Sequence, residues 1–150
     1  MNYIERLIEN CNKAKRTEPI QEVIVNDLAE IKGIKKAIYI FTEIGGNPES
    51  TFNQLLDFKK EKSRACPALN SPSQTMYVGS STTGVDKRIN QHIGNGPKGT
   101  YALHLNHWFK GSYEILVKEY DCSCEVIQII EDNISDILNP AFGKKGGNNK

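Results

Sequence analysis

Several side chains stand at positions where an ordinary soluble domain has little structural use for them. The run from Cys124 to Leu138 reads as a helix, capped by Ser123, with the apolar stripe Ile127, Ile130, Ile134, Ile137 and Leu138. Glu131 falls on that stripe, four residues after Ile127 and three before Ile134. A carboxylate there loses its water, so it reads as a metal ligand, as half of an internal ion pair, or as a residue at the edge of the stripe. Asp132 and Asp136, on the other side of the helix, are expected to face water. Arg88 and His92 lie four apart on a helix expected from Gly84 to Ile93, and so point the same way. A guanidinium fork matches a phosphate and an imidazole can move protons near neutral pH. The plainer alternative is a surface arginine beside a half-buried histidine. Tyr39 and Tyr77 sit at strand centres, either as core residues with satisfied hydroxyls or as phenols that act as bases once their pKa is lowered.

A second set of chemistry-bearing residues is Cys122, Cys124, His104 and His107, which would suit a metal or redox protein. Cys122-x-Cys124 lacks the two-residue gap of a zinc knuckle, and all four cysteines read as free thiols.

The elements that must position these groups follow from periodicity. Tyr3, Ile4, Leu7, Ile8 and Cys11 predict a first amphipathic helix over residues 2–15. Thr17 as cap and Pro19 in the first turn predict a second helix that runs to about Lys32 and stops at Gly33. Ala37 to Thr42, Thr75 to Val78 and Ser112 to Tyr120 read as strands. Residues 43–74 form an insertion with a helix near Ser50–Ser63. Thr83 and Asp86 are spaced as a capping-box variant, and Thr100 to Phe109 reads as another helix. This order implies a small mixed α/β (α+β) domain with a three-stranded, largely antiparallel sheet flanked by helices, plus two extra N-terminal helices.

The chain has 150 residues, suited to one folding domain, with 19 Lys and Arg against 18 Asp and Glu. No apolar run approaches the roughly 18 residues needed to span a bilayer. The charged, amphipathic start lacks the apolar core of a signal peptide, so a cytoplasmic protein with no membrane partner is expected. The net charge of +1 hides a lopsided distribution. Residues 119–136 carry six acids and no Lys or Arg, while basic groups gather at 13–16, 32–36, 59–64 and 144–150. Lys59, Lys60, Lys62 and Arg64, with Lys144 and Lys145 in the tail, are therefore the candidate phosphate contacts. The alternative for the first four is a solvated helix face.

Taken together, these residues resemble the GIY-YIG nuclease family. Its first motif corresponds to Ala37-Ile38-Tyr39 and its second to Tyr77-Val78-Gly79. The helical Arg and the His one turn later correspond to Arg88 and His92, the later helical Glu to Glu131, and the terminal Asn to Asn148, with Asn149 and Asn139 as alternatives. The match covers about residues 36–148. It departs from the family at Ala37, which replaces a glycine, and at the insertion 43–74. It departs again at Ser80-Ser81, where some members carry a lysine.

The resemblance implies a nuclease domain over residues 34–150, preceded by a helical extension over 1–33. It also implies a metal-dependent endonuclease that hydrolyses DNA with one Mg²⁺ (or Mn²⁺) held by Glu131, in a restriction or repair setting, as a homodimer if a palindromic site is cut. Arg88 would bind the phosphate and Tyr77 would be the base. Tyr39 would share that role or hold the water, His92 would pass the proton on or orient the phosphate, and Asn148 would brace the site. The runner-up base is Tyr39 relayed through His92. The alternative function is a catalytically silent nucleic-acid-binding module of the same fold.

Overall fold

The run Ala37-Ile38-Tyr39-Ile40-Phe41 forms most of strand β2 (Ala37–Ile44), and all five side chains are buried. Successive strand residues point to opposite faces, so both faces of β2 must be covered. In the computed structural model, which describes residues 1–144, β2 is central to an antiparallel sheet. It pairs with β3 (Thr75–Ser81) on one side and β4 (Ser112–Glu119) on the other, and β1 (Gln21–Ile24) pairs with β4. The order is β1-β4-β2-β3, which leaves β3 at an edge. With four α-helices among the described residues, the fold is α+β.

One face of the sheet packs Ala37, Tyr39, Phe41 and Val117 with Val85 and Ile89 of α3 (Val85–Asn90). The other packs Ile38, Ile40 and Val78 against Val126, Ile127 and Ile130 of α4 (Cys124–Leu138). Ser123 Oγ accepts the Val126 N–H and caps α4 as expected. The apolar stripe is shorter than its spacing implies, because Ile137 and Leu138 are exposed past the edge of the sheet. Asp136 faces water, whereas Asp132 is half-buried. The insertion carries α2 (Pro48–Lys60), whose N-terminus is capped by Asn47. Thr51 Oγ1 donates to the buried Glu43 Oε2 at 3.0 Å and ties this helix to the end of β2.

Four local expectations are corrected. Residues 17–32 do not form a helix: Thr17 closes α1 (Tyr3–Arg16), its hydroxyl donating to the Lys13 carbonyl at 2.7 Å. Gln21 to Ile24 then pair with β4, and only a 3₁₀ turn, Leu28–Ile31, follows. The free edge of β4 offered this β-branched stretch a full set of backbone partners, and tertiary pairing overrode the local pattern. The sheet is accordingly four-stranded rather than three-stranded, and the first 33 residues are not a purely helical extension.

Thr100 to Phe109 holds only the 3₁₀ turn Leu105–His107, because His104 is in the left-handed region at φ 52°. Gly84 caps α3 with no side-chain hydrogen bond, so the box between Thr83 and Asp86 does not form. All four cysteines are free. Among the described residues, no group of three or more His, Cys, Asp or Glu side chains gathers to hold a metal, and no helix is long and apolar enough to cross a membrane.

Candidate active site

Sheet register creates the site. Tyr39 lies opposite Gly79 and Phe41 opposite Tyr77. Alternation therefore sends Tyr39, Tyr77 and position 79 to one face of the sheet, and Val78 and Ser80 to the other. The tyrosine rings stack diagonally across the strand pair, with centroids 6.2 Å apart and planes 6° from parallel. Gly79 makes this possible: a Cβ there would lie 2.5 Å from the Tyr39 hydroxyl and 2.9 Å from the Tyr77 ring. Because β3 is an edge strand, groups from both faces of the sheet meet along it. A cleft of about 700 Å³ opens there, lined by Tyr39, Tyr77, Gly79, Ser80, Arg88 and Glu131, with Lys59 and Lys144 among its other walls.

Tyr39 is almost wholly buried, and its hydroxyl lies 3.1 Å from His92 Nε2. His92 is fully buried in the π turn Gln91–Asn95 that continues α3, so the half-buried alternative is replaced. Its Nδ1 accepts the Leu103 N–H at 3.0 Å. A ring nitrogen that accepts a backbone N–H carries no proton, which puts the proton of the neutral ring on Nε2 and makes His92 the donor to Tyr39. Burial, then the positive charge of Arg88, hold the imidazole well below its usual pKa, so the ring is neutral. Nε2 thus has no lone pair to receive the phenol proton, and the relay from Tyr39 through His92 is not available. His92 positions Tyr39.

Burial raises the pKa of Tyr39 first, followed by Tyr77; Arg88 pulls it down and Glu131 raises it further. Tyr77 is raised by burial, lowered by Arg88 and raised by Glu131. Both phenols are protonated in the free protein.

Arg88 is half-buried. Its Nη1 donates to Gln91 Oε1 and its Nη2 to the Tyr101 carbonyl, each at 2.9 Å. These two bonds aim the guanidinium, which also donates toward the Tyr39 and Tyr77 hydroxyls and places its charge in the cleft.

Glu131 is half-buried on α4. Burial raises its pKa; Ser80 and Gln128, which donate toward it, pull the other way, and Asp132 raises it. Gln128 Nε2 reaches Oε2 at 3.2 Å. Among the described residues no Lys, Arg or His nitrogen forms a salt bridge to Glu131, which removes the internal ion pair. A desolvated carboxylate without a cationic partner, open to a cleft, fits a divalent cation that keeps most of its waters and takes one or two carboxylates plus substrate oxygens.

The basic residues separate. Lys59 lines the cleft and donates to the Pro67 carbonyl at 3.0 Å, and Lys144 lines it from the C-terminal side. Lys60 and Lys62 are exposed near the end of α2, and half-buried Arg64 donates through Nη1 to the Gly96 carbonyl at 3.2 Å. Lys145 and Asn148 lie outside the described residues. Asn139 ends α4 in the left-handed region. The segment after it runs beside β3: the Ala141 and Phe142 N–H groups donate to the Thr75 and Met76 carbonyls, which brings Gly143 against Tyr77 and Lys144 to the cleft.

Sequence reasoning missed Gln91, Gln128 and Tyr101. Gln91 is three residues after Arg88 and Gln128 three before Glu131, so the helical i, i+3 rule was the available signal for both. Tyr101 had none. His104 Nε2 is engaged by the Ala65 and Thr100 carbonyls and His107 Nε2 by that of Gly94, and among the described residues these histidines do not gather with the cysteines into a metal-holding group. No protein-family model matches the chain, and neither the curated proteins nor the solved structures compared with it gave a match.

Proposed function

We propose that the cleft hydrolyses phosphodiester bonds of DNA as a divalent-metal-dependent endonuclease of the GIY-YIG type. One observation carries this reading. Side chains distant in sequence meet in one cleft: a desolvated carboxylate with no cationic partner among the described residues, a guanidinium braced from behind and directed at the phenols, and two stacked phenols.

Glu131 would hold Mg²⁺ or Mn²⁺. Bound there, the ion supplies positive charge to the scissile phosphate and the leaving oxygen, and favours the ionised form of a nearby phenol. Arg88 binds a non-bridging phosphate oxygen and gains strength as negative charge builds on it. Tyr77, stacked on Tyr39 and drawn toward ionisation by Arg88, first gives up its phenol proton to solvent and, as the phenolate, takes the proton of the attacking water. Tyr39, its oxygen held by the His92 N–H, orients that water. Lys59 and Lys144 hold the flanking backbone by charge.

The test is incubation of supercoiled plasmid and defined duplexes with the protein in Mg²⁺ and then Mn²⁺. Wild type should nick or cut, and Glu131→Ala should lose cleavage while retaining DNA binding. Cleavage by Glu131→Ala would overturn the metal assignment. Binding without any cleavage by wild type would leave a nucleic-acid-binding module. Arg88→Ala should lower kcat by roughly 10²–10³ with a smaller change in affinity, because its main partner is the transition state.

A further inference from the structure

Residues 100–103 form a tethered stretch of irregular backbone beside the cleft. The Thr100 carbonyl lies 2.9 Å from His104 Nε2, the Tyr101 carbonyl accepts from Arg88 at 2.9 Å, the Ala102 N–H donates to the Ala65 carbonyl at 3.4 Å, and the Leu103 N–H donates to His92 at 3.0 Å. His104 Nε2 also reaches the Ala65 carbonyl at 3.0 Å, so one buried imidazole staples this loop to the segment beside Cys66. Ala102, Leu103 and His104 are fully buried, as that anchoring requires. The Tyr101 side chain is the exception, at 70% exposed, on the rim of the cleft.

An aromatic ring left in water on a fixed backbone is a preformed stacking surface, because little conformational entropy remains to be lost when a ligand covers it. Its carbonyl holds the guanidinium assigned to the phosphate, and both residues line the same cleft. A base inside a continuous duplex has both π-faces covered, whereas a base at an end, flap or junction has one free. Building on the nuclease reading, we propose that Tyr101 is a base-stacking subsite that receives an unstacked nucleobase beside the scissile phosphate. The preferred substrate class is then DNA with a single-stranded interruption.

The test measures binding in EDTA, by fluorescence anisotropy, to a flapped duplex and to a fully paired duplex of the same length. Wild type should bind the flapped duplex more tightly. Tyr101→Ala, which keeps the carbonyl that braces Arg88, should weaken flapped-duplex binding about tenfold and leave the paired duplex within about twofold, while Tyr101→Phe and Tyr101→Trp behave as wild type. Equal binding of both duplexes by wild type, no effect of Tyr101→Ala, or an equal loss on both duplexes would each overturn the proposal. So would a loss in Tyr101→Phe matching that in Tyr101→Ala, which would indicate a hydroxyl contact. The two readings separate in the same samples after Mg²⁺ is added. The expected binding pattern without cleavage rejects the nuclease and keeps the stacking site; cleavage without that pattern does the reverse.

Discussion

Gln128 donates to Glu131 from one turn earlier in α4, and with Ser80 it offsets the burial that raises the carboxyl's pKa. A donor favours the charged form of a carboxylate, so its removal makes protonation easier and the pKa higher still. Gln128→Ala should therefore move the acid limb of the cleavage–pH profile upward. The rate on the acid side of the profile relative to that at its plateau should fall, with little change on the alkaline side. A limb that stays put or moves down would show that Glu131 does not titrate in the reaction. His92 shows the limit of residue-level reading. Its spacing from Arg88 was plain, but the Leu103 N–H that fixes its tautomer and makes it a donor to Tyr39 arrives from a loop no periodicity places there.

The strand pair β2–β3 carries the two phenols, and it works because position 79 has no side chain. Gly79→Ala would put a Cβ 2.5 Å from the Tyr39 hydroxyl and 2.7 Å from its ring carbon Cζ, and Tyr39 is buried and held by His92. Overpacking of this kind costs about 1–3 kcal/mol. The expected reading is a Tm lowered by several degrees together with loss of cleavage. An unchanged Tm would mean the rings can part. The same level explains which elements were legible. β2, β3, β4, α1 and α4 announce themselves through runs and stripes whose pattern lies within the element, whereas the Asn2 and Asn47 caps of α1 and α2 emerge only in the structure. β1 carries a run that serves a helix or a strand, and the unpaired edge of β4 chose between them. Residues 100–104 resemble a helix in composition, yet their backbone groups are spent on Ala65, Arg88 and His92.

Charge distribution bears on affinity for a polyanion more than the net value of +1 does. Lys59 and Lys144 line the cleft, while Lys60 and Lys62 stand exposed beside it on α2 and the turn that follows. If all four neutralise phosphates, each contributes roughly 0.9 to the slope of log Kd against log salt. Replacing both Lys60 and Lys62 by Ala should then lower that slope by about two and weaken binding to every DNA sequence alike. An unchanged slope would assign those two lysines to the solvent.

The amino-acid order was enough to specify an α+β domain, the three main strands, the last helix to its end residues, and the group of side chains worth watching. Those properties are encoded locally, in caps, periodicity and residue chemistry. That Tyr39, Tyr77, Arg88 and Glu131 line one cleft, that His92 donates rather than accepts, and that Tyr101 stands exposed beside Arg88 are results of strand register and of hydrogen bonds between distant loops. Such contacts depend on which backbone groups remain unpaired once the chain has packed, and only the folded molecule settles that.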